Sequence, residues 1–83
     1  MGWLEIQAVK PSPLLQELEG ARFYFAHSFH VAPQNKSDIL ITAHYGYDFT
    51  AAVEYNNLVG VQFHPEKSHR FGMQLLKNFA LNY

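Results

Sequence analysis

The stretch Gly60-Val61-Gln62-Phe63-His64-Pro65-Glu66 decides how the rest of the chain is read. Leu58 to Phe63 is a short, nearly all-apolar run, the composition of a strand covered on both faces. It ends on a histidine. The proline that follows fixes the turn and holds Glu66 two residues on, where its carboxylate can turn back toward the imidazole. A carboxylate bonded to one ring nitrogen sets the tautomer and raises the basicity of the other. A histidine oriented this way is a general base for a nearby nucleophile. A strand-end histidine capped by a surface glutamate also fits the spacing.

Working outward, the chain reads as short strands with two helical pieces. Upstream, Ile39 to His44 predicts a strand, Tyr45-Gly46-Tyr47-Asp48 a turn, and Phe49 to Tyr55 a second strand, which together make a hairpin. Asn56-Asn57 marks the next turn. Arg22 to Val31 is rich in aromatics and fits one or two strands, and Pro33 to Asp38 is a polar turn. Trp3 to Val9 alternates Trp3, Glu5, Gln7 and Val9 against Leu4, Ile6 and Ala8, the period of a strand. Ser12-Pro13 reads as an N-cap followed by proline at the first helical position. Leu14, Leu15 and Leu18 then predict a short helix of about two turns that Gly20 closes. Downstream, Ser68 is placed to cap a final helix whose apolar face is Phe71, Leu75, Leu76, Phe79 and Ala80.

Composition narrows the classes. The 83 residues suffice for one small domain, and 48% hydrophobic with 16% aromatic side chains is too apolar for a disordered segment. The formal charge is −1, with no basic stripe to attract nucleic acid. No apolar run approaches the roughly 18 residues a membrane helix needs, and Met1-Gly2-Trp3-Leu4-Glu5 is not a signal peptide, so a cytoplasmic protein is expected. There is no cysteine, which removes disulfides and thiolate zinc sites. His27 and His30 stand three apart and on a strand would face opposite sides, so no metal site is expected there. Strand-rich, with open edges that a complete fold would cover, the chain looks like the back half of a larger α/β domain.

The full string from Gly60 to Glu66 resembles the C-terminal signature of class I (triad-type) glutamine amidotransferases, whose histidine and glutamate complete a Cys–His–Glu triad. Lys67-Ser68 extends the likeness. Phe23-Tyr24-Phe25-Ala26-His27-Ser28-Phe29, the Tyr45-Gly46 turn with Phe49-Thr50-Ala51-Ala52-Val53, and the opening Met1-Gly2-Trp3 are similar to the glutaminase subunit of imidazole glycerol phosphate synthase. The likeness runs over essentially residues 1–83, in order. It implies the C-terminal, strand-rich part of a flavodoxin-like three-layer α/β domain, with short antiparallel strands and a closing helix.

The resemblance also implies roles. His64 would be the general base and later the acid, and Glu66 would orient it. His27, Ser28 and Phe29 would hold the amino-acid end of glutamine, largely through backbone groups. Trp3, Tyr24 and Lys67 would face the synthase (cyclase) subunit of a heterodimer, near the point where ammonia leaves. Read without the resemblance, Trp3 and Tyr24 fit core aromatics and Lys67 a solvated charge. No cofactor is implied.

Two departures from the family pattern are small. Leu4 stands where asparagine is usual, and Phe29 lacks the usual aromatic hydroxyl. Both leave room for an amidotransferase serving another acceptor, such as nucleotide-sugar or polysaccharide amination. The third is large. The family's cysteine belongs to an N-terminal half that is missing here, beside the amides of an oxyanion hole, and no cysteine is present. Met1 falls well inside the family domain, which suggests a truncation. The chain alone is expected to be inactive: one piece of a glutaminase, or a non-catalytic module that binds a synthase-like partner.

Overall fold

The computed structural model describes residues 2–25 and 35–83. Among the described residues five strands form one antiparallel sheet in the order β2-β1-β3-β4-β5. They are β1 (Gly2–Ala8), β2 (Arg22–Phe25), β3 (Ile39–His44), β4 (Asp48–Tyr55) and β5 (Leu58–Val61), followed by a helix, α1 (His69–Asn82). The short antiparallel strands and closing helix are the α/β arrangement that the sequence pattern predicts.

β1 is the hinge of the sheet. Its first half pairs with β2, with Trp3 opposite Tyr24, and its second half pairs with β3, with Ile6 opposite Ala43. Alternation puts Leu4 and Ile6 inward and Trp3, Glu5 and Gln7 outward. β3 and β4 form the hairpin, with a register irregularity around Ile41. The core contains Phe23, Phe25, Leu40, Ile41, Phe49, Phe63 and Leu75. Phe63 is its aromatic centre, 4.3 Å from the Phe23 ring and 5.5 Å from that of Phe25. Burying such a ring stabilises the fold by roughly 2–3 kcal/mol and fixes where the next residue, His64, leaves the core.

Four local expectations are corrected. The run from Leu58 to Phe63 is not a strand covered on both faces. Pairing through Val61 places β5 at the sheet edge, where Leu58 is exposed, and only Phe63 at its end is buried. An apolar run cannot by itself distinguish an edge from a centre. The helix expected after Pro13 is a 3-10 turn of three residues, Pro13–Leu15. Gln16 is extended and Glu17 has φ +60, so the chain turns away before a second α-turn can form. Ser12 does cap it, accepting from the Leu14 N–H at 3.1 Å. On α1, Leu75 is buried but Leu76 and Phe79 are exposed. The inner face of the helix instead carries Gly72 and Asn78, which is 3% exposed. Asn78 Nδ2 donates to the carbonyls of Leu14 and Gln16, at 2.8 Å each, and so ties α1 to the short turn. Finally, Ser68 makes no side-chain cap to α1. Its hydroxyl is used elsewhere.

At the opposite end of the helix, Tyr83 and Ser12 both bond the Glu54 carboxylate, fastening the last residue to β4. Burial, and then the Glu54 bond, push the Tyr83 hydroxyl above its ordinary pKa of 10.0. No helix of the described residues is long and apolar enough to cross a membrane.

Candidate active site

His64 leaves the core at the end of the β5 segment, one residue past buried Phe63. Pro65–Lys67 forms a 3-10 turn with proline in its first position, where the missing N–H costs nothing. That turn brings the Glu66 carboxylate back onto the ring: Glu66 Oε2 lies 2.9 Å from His64 Nδ1. The His64 side chain is 27% exposed and that of Glu66 63%, so the ring is seated yet reachable from solvent.

The Glu66 carboxyl is held below its ordinary value of 4.5. Its own backbone N–H is the largest cause and the bond to His64 the next, against a smaller opposing effect of burial. Near neutrality it is an ionised acceptor. The bonded Nδ1 must then carry the proton, which makes Nε2 the basic nitrogen of the neutral ring.

A second imidazole–carboxylate pair provides a contrast that sequence reading missed. His44 Nδ1 lies 2.8 Å from Asp48 Oδ1 across the mouth of the β3–β4 hairpin, with side chains 68% and 84% exposed. Solvated on all sides, it is an ordinary hairpin pair worth at most about 1 kcal/mol. His64 is distinguished by being seated against the core.

The backbone of His64 is anchored on both sides. Its N–H donates to the Tyr24 carbonyl at 2.9 Å. Its carbonyl accepts from the Ser68 hydroxyl at 2.6 Å and from the Lys67 N–H at 3.0 Å. From the other side, α1 presses on the turn through Gly72. A Cβ there would meet the Pro65 carbonyl oxygen at 1.8 Å. A glycine inside a helical pattern was the available sequence signal for this close approach. Ser68 gave no such signal, because its position also suits a cap.

Trp3 and Tyr24 share the same side of the sheet. Their rings meet edge-on at 5.9 Å, and the Tyr24 ring lies 6.4 Å from that of His64. Trp3 also stacks on His69 at 5.5 Å, nearly parallel. Trp3 is exposed, so it is not a core aromatic, and Tyr24 is half-buried. Lys67 is exposed at the end of the turn. The structure thus brings Trp3, Tyr24, His64 and Glu66 together, with Lys67 next to Glu66 in the turn. His27, Ser28 and Phe29 lie outside the described residues, as does His30. Among the described residues no group of three or more His, Cys, Asp or Glu side chains could hold a metal ion.

The chain is similar over most of its length to known proteins. A family model described as glutamine amidotransferase class-I matches residues 5–83. Imidazole glycerol phosphate synthase subunit HisH 2 of Pseudomonas aeruginosa is 51% identical over 81 residues, which is 96% of this chain and 40% of that protein. Subunit HisH of Leptospira borgpetersenii is 48% identical, and that of Bdellovibrio bacteriovorus 54%, over the same shares. The chain therefore spans about 40% of the length of these curated relatives. With nearly every residue matched by the family model, the chain belongs to the class-I glutamine amidotransferase family.

Proposed function

We propose that this chain supplies the general base of a glutaminase whose nucleophile is borne by residues outside it. The observation that carries the reading is the 2.9 Å bond between His64 Nδ1 and Glu66 Oε2 on a turn anchored to the core.

In the assembled site a cysteine thiol gives its proton to His64 Nε2, and the thiolate attacks the side-chain amide carbon of glutamine. Backbone N–H groups hold the oxyanion. The imidazolium, steadied by Glu66, then protonates the amide nitrogen, and ammonia departs from a glutamyl thioester. Water attacks the thioester, losing a proton to His64, and glutamate is released as the thiol is restored. His27, Ser28 and Phe29 hold the amino-acid end of glutamine. Trp3, Tyr24 and Lys67 meet the synthase subunit. The lysine suits a carboxylate on that partner, and the exposed Trp3 offers apolar area. The relatives' names support imidazole glycerol phosphate synthase of histidine biosynthesis as the cytoplasmic heterodimer served. Ammonia passes along a path closed to water, because protonation would destroy its nucleophilicity. No cofactor takes part. The chain alone is inactive, because it contains no cysteine.

The test is His64→Ala in the complete enzyme with its synthase subunit. Glutamine-dependent synthesis should fall by about 10⁴-fold or more while ammonia-dependent synthesis survives. Loss of both together would refute the role assigned to His64.

A further inference from the structure

Ser68 is 0% exposed and its hydroxyl is fully engaged. It donates to the His64 carbonyl at 2.6 Å and accepts from the Tyr24 N–H at 3.0 Å. The His64 N–H donates to the Tyr24 carbonyl at 2.9 Å. Tyr24 and His64 are thus joined like an antiparallel pair in which one of the two backbone bonds has been opened and a hydroxyl inserted. The inserted oxygen holds the two backbones apart on that side. It thereby sets the direction in which the His64 side chain leaves the chain. Tyr24 is itself fixed by its register against Trp3 on β1, so the reference point is the sheet.

We infer that Ser68 is a positioning residue for His64, acting through the backbone rather than on the ring. The inference rests on the reading of His64 as the base. Without the hydroxyl, the Tyr24 N–H and the His64 carbonyl each lose a partner in a site too buried for water to replace it readily. They recover by closing on one another, which draws His64 toward β2. A displacement of about 1 Å at a reacting group is enough to lower turnover about 10²-fold. A serine that merely stabilised the fold would reduce the amount of folded enzyme and leave the turnover of each folded molecule unchanged.

The experiment compares Ser68→Ala, Ser68→Cys and Ser68→Thr in the complete enzyme with its synthase subunit, with kcat and KM for glutamine expressed per folded molecule. The proposal expects kcat of Ser68→Ala to fall about 10- to 100-fold with KM within about threefold, and Ser68→Thr, which keeps the hydroxyl, to recover most of the loss. It also expects histidine-selective nitrogen NMR to find the Nδ1–H tautomer of His64 diminished in Ser68→Ala. Wild-type kcat per folded molecule in Ser68→Ala overturns the proposal. If Ser68→Ala does not fold, Ser68→Cys decides, since it keeps the volume with a much weaker hydrogen-bonding group: wild-type kcat there overturns the proposal, and a reduced kcat supports it. His64→Ala measured alongside separates the two claims. If it remains active, the base assignment has failed. If it is dead while Ser68→Ala is normal, only the positioning role has failed.

Discussion

Gly72→Ala puts a methyl group where the backbone of Pro65 already sits. The new Cβ would lie 1.8 Å from the Pro65 carbonyl oxygen and 2.7 Å from its carbonyl carbon, whereas real Cβ contacts essentially never fall below 3.0 Å. The turn and the helix must therefore separate by at least about 1.2 Å, the difference between 3.0 and 1.8 Å. Both clashing atoms are main chain, so no side chain can rotate out of the way. Overpacking of this kind costs about 1–3 kcal/mol, and more where the obstacle is backbone. The better helix propensity of alanine returns at most about 1 kcal/mol. A net loss of about 2 kcal/mol is expected in the urea unfolding free energy of the complete enzyme. The displaced turn also carries His64, so glutaminase turnover should fall about 10²-fold per folded molecule. Gly60→Ala is the matched control. Its Cβ meets only the end of the Val53 side chain, at 3.4 Å, and stability should change by less than about 0.5 kcal/mol. If Gly72→Ala were as mild as Gly60→Ala in both assays, the close packing of α1 on the His64 turn would be refuted.

Two further outcomes follow from the same geometry. Asn78→Ala removes the donor to the Leu14 and Gln16 carbonyls and should cost about 2 kcal/mol in the same urea experiment; a change below about 0.5 kcal/mol would show that these carbonyls find other partners. Glu66 has a lowered carboxyl pKa, so its contribution to stability is fully present above pH 4.5 and is lost as the pH falls through the lower, folded-state value. Melting temperature followed from pH 6 to about pH 3 should therefore decline less steeply in Glu66→Gln than in the parent, and parallel declines would contradict that linkage.

Much of the frame was legible in the sequence because local chemistry determined it. The alternation of β1, the β3–β4 hairpin around Tyr45–Asp48 and the Ser12 cap each depend on residues adjacent in the chain. So does the return of Glu66 onto His64, since two residues and a proline leave the carboxylate little choice. What was not legible depends on neighbours distant in sequence. Leu58 and Val59 look like central-strand residues until the order of the sheet puts β5 at its edge. Asn78 looks like a surface residue until its amide is seen spanning two carbonyls of the turn at Pro13–Leu15. Ser68 has the composition of a cap, but Tyr24, 44 positions away, claims its hydroxyl. Glu17 departs from the helical pattern with φ +60, next to the Gln16 carbonyl that Asn78 bonds from 62 positions away.

The central claim is that this chain carries the base and not the nucleophile. It is tested most directly by measuring glutamate release from glutamine by the 83-residue chain alone, and again after adding a polypeptide that supplies the cysteine-bearing half of the domain. The account predicts no turnover by the chain alone, turnover on mixing, and none on mixing when His64 is replaced by alanine. Glutamine hydrolysis by the chain alone, or undiminished hydrolysis by the His64→Ala mixture, would contradict it.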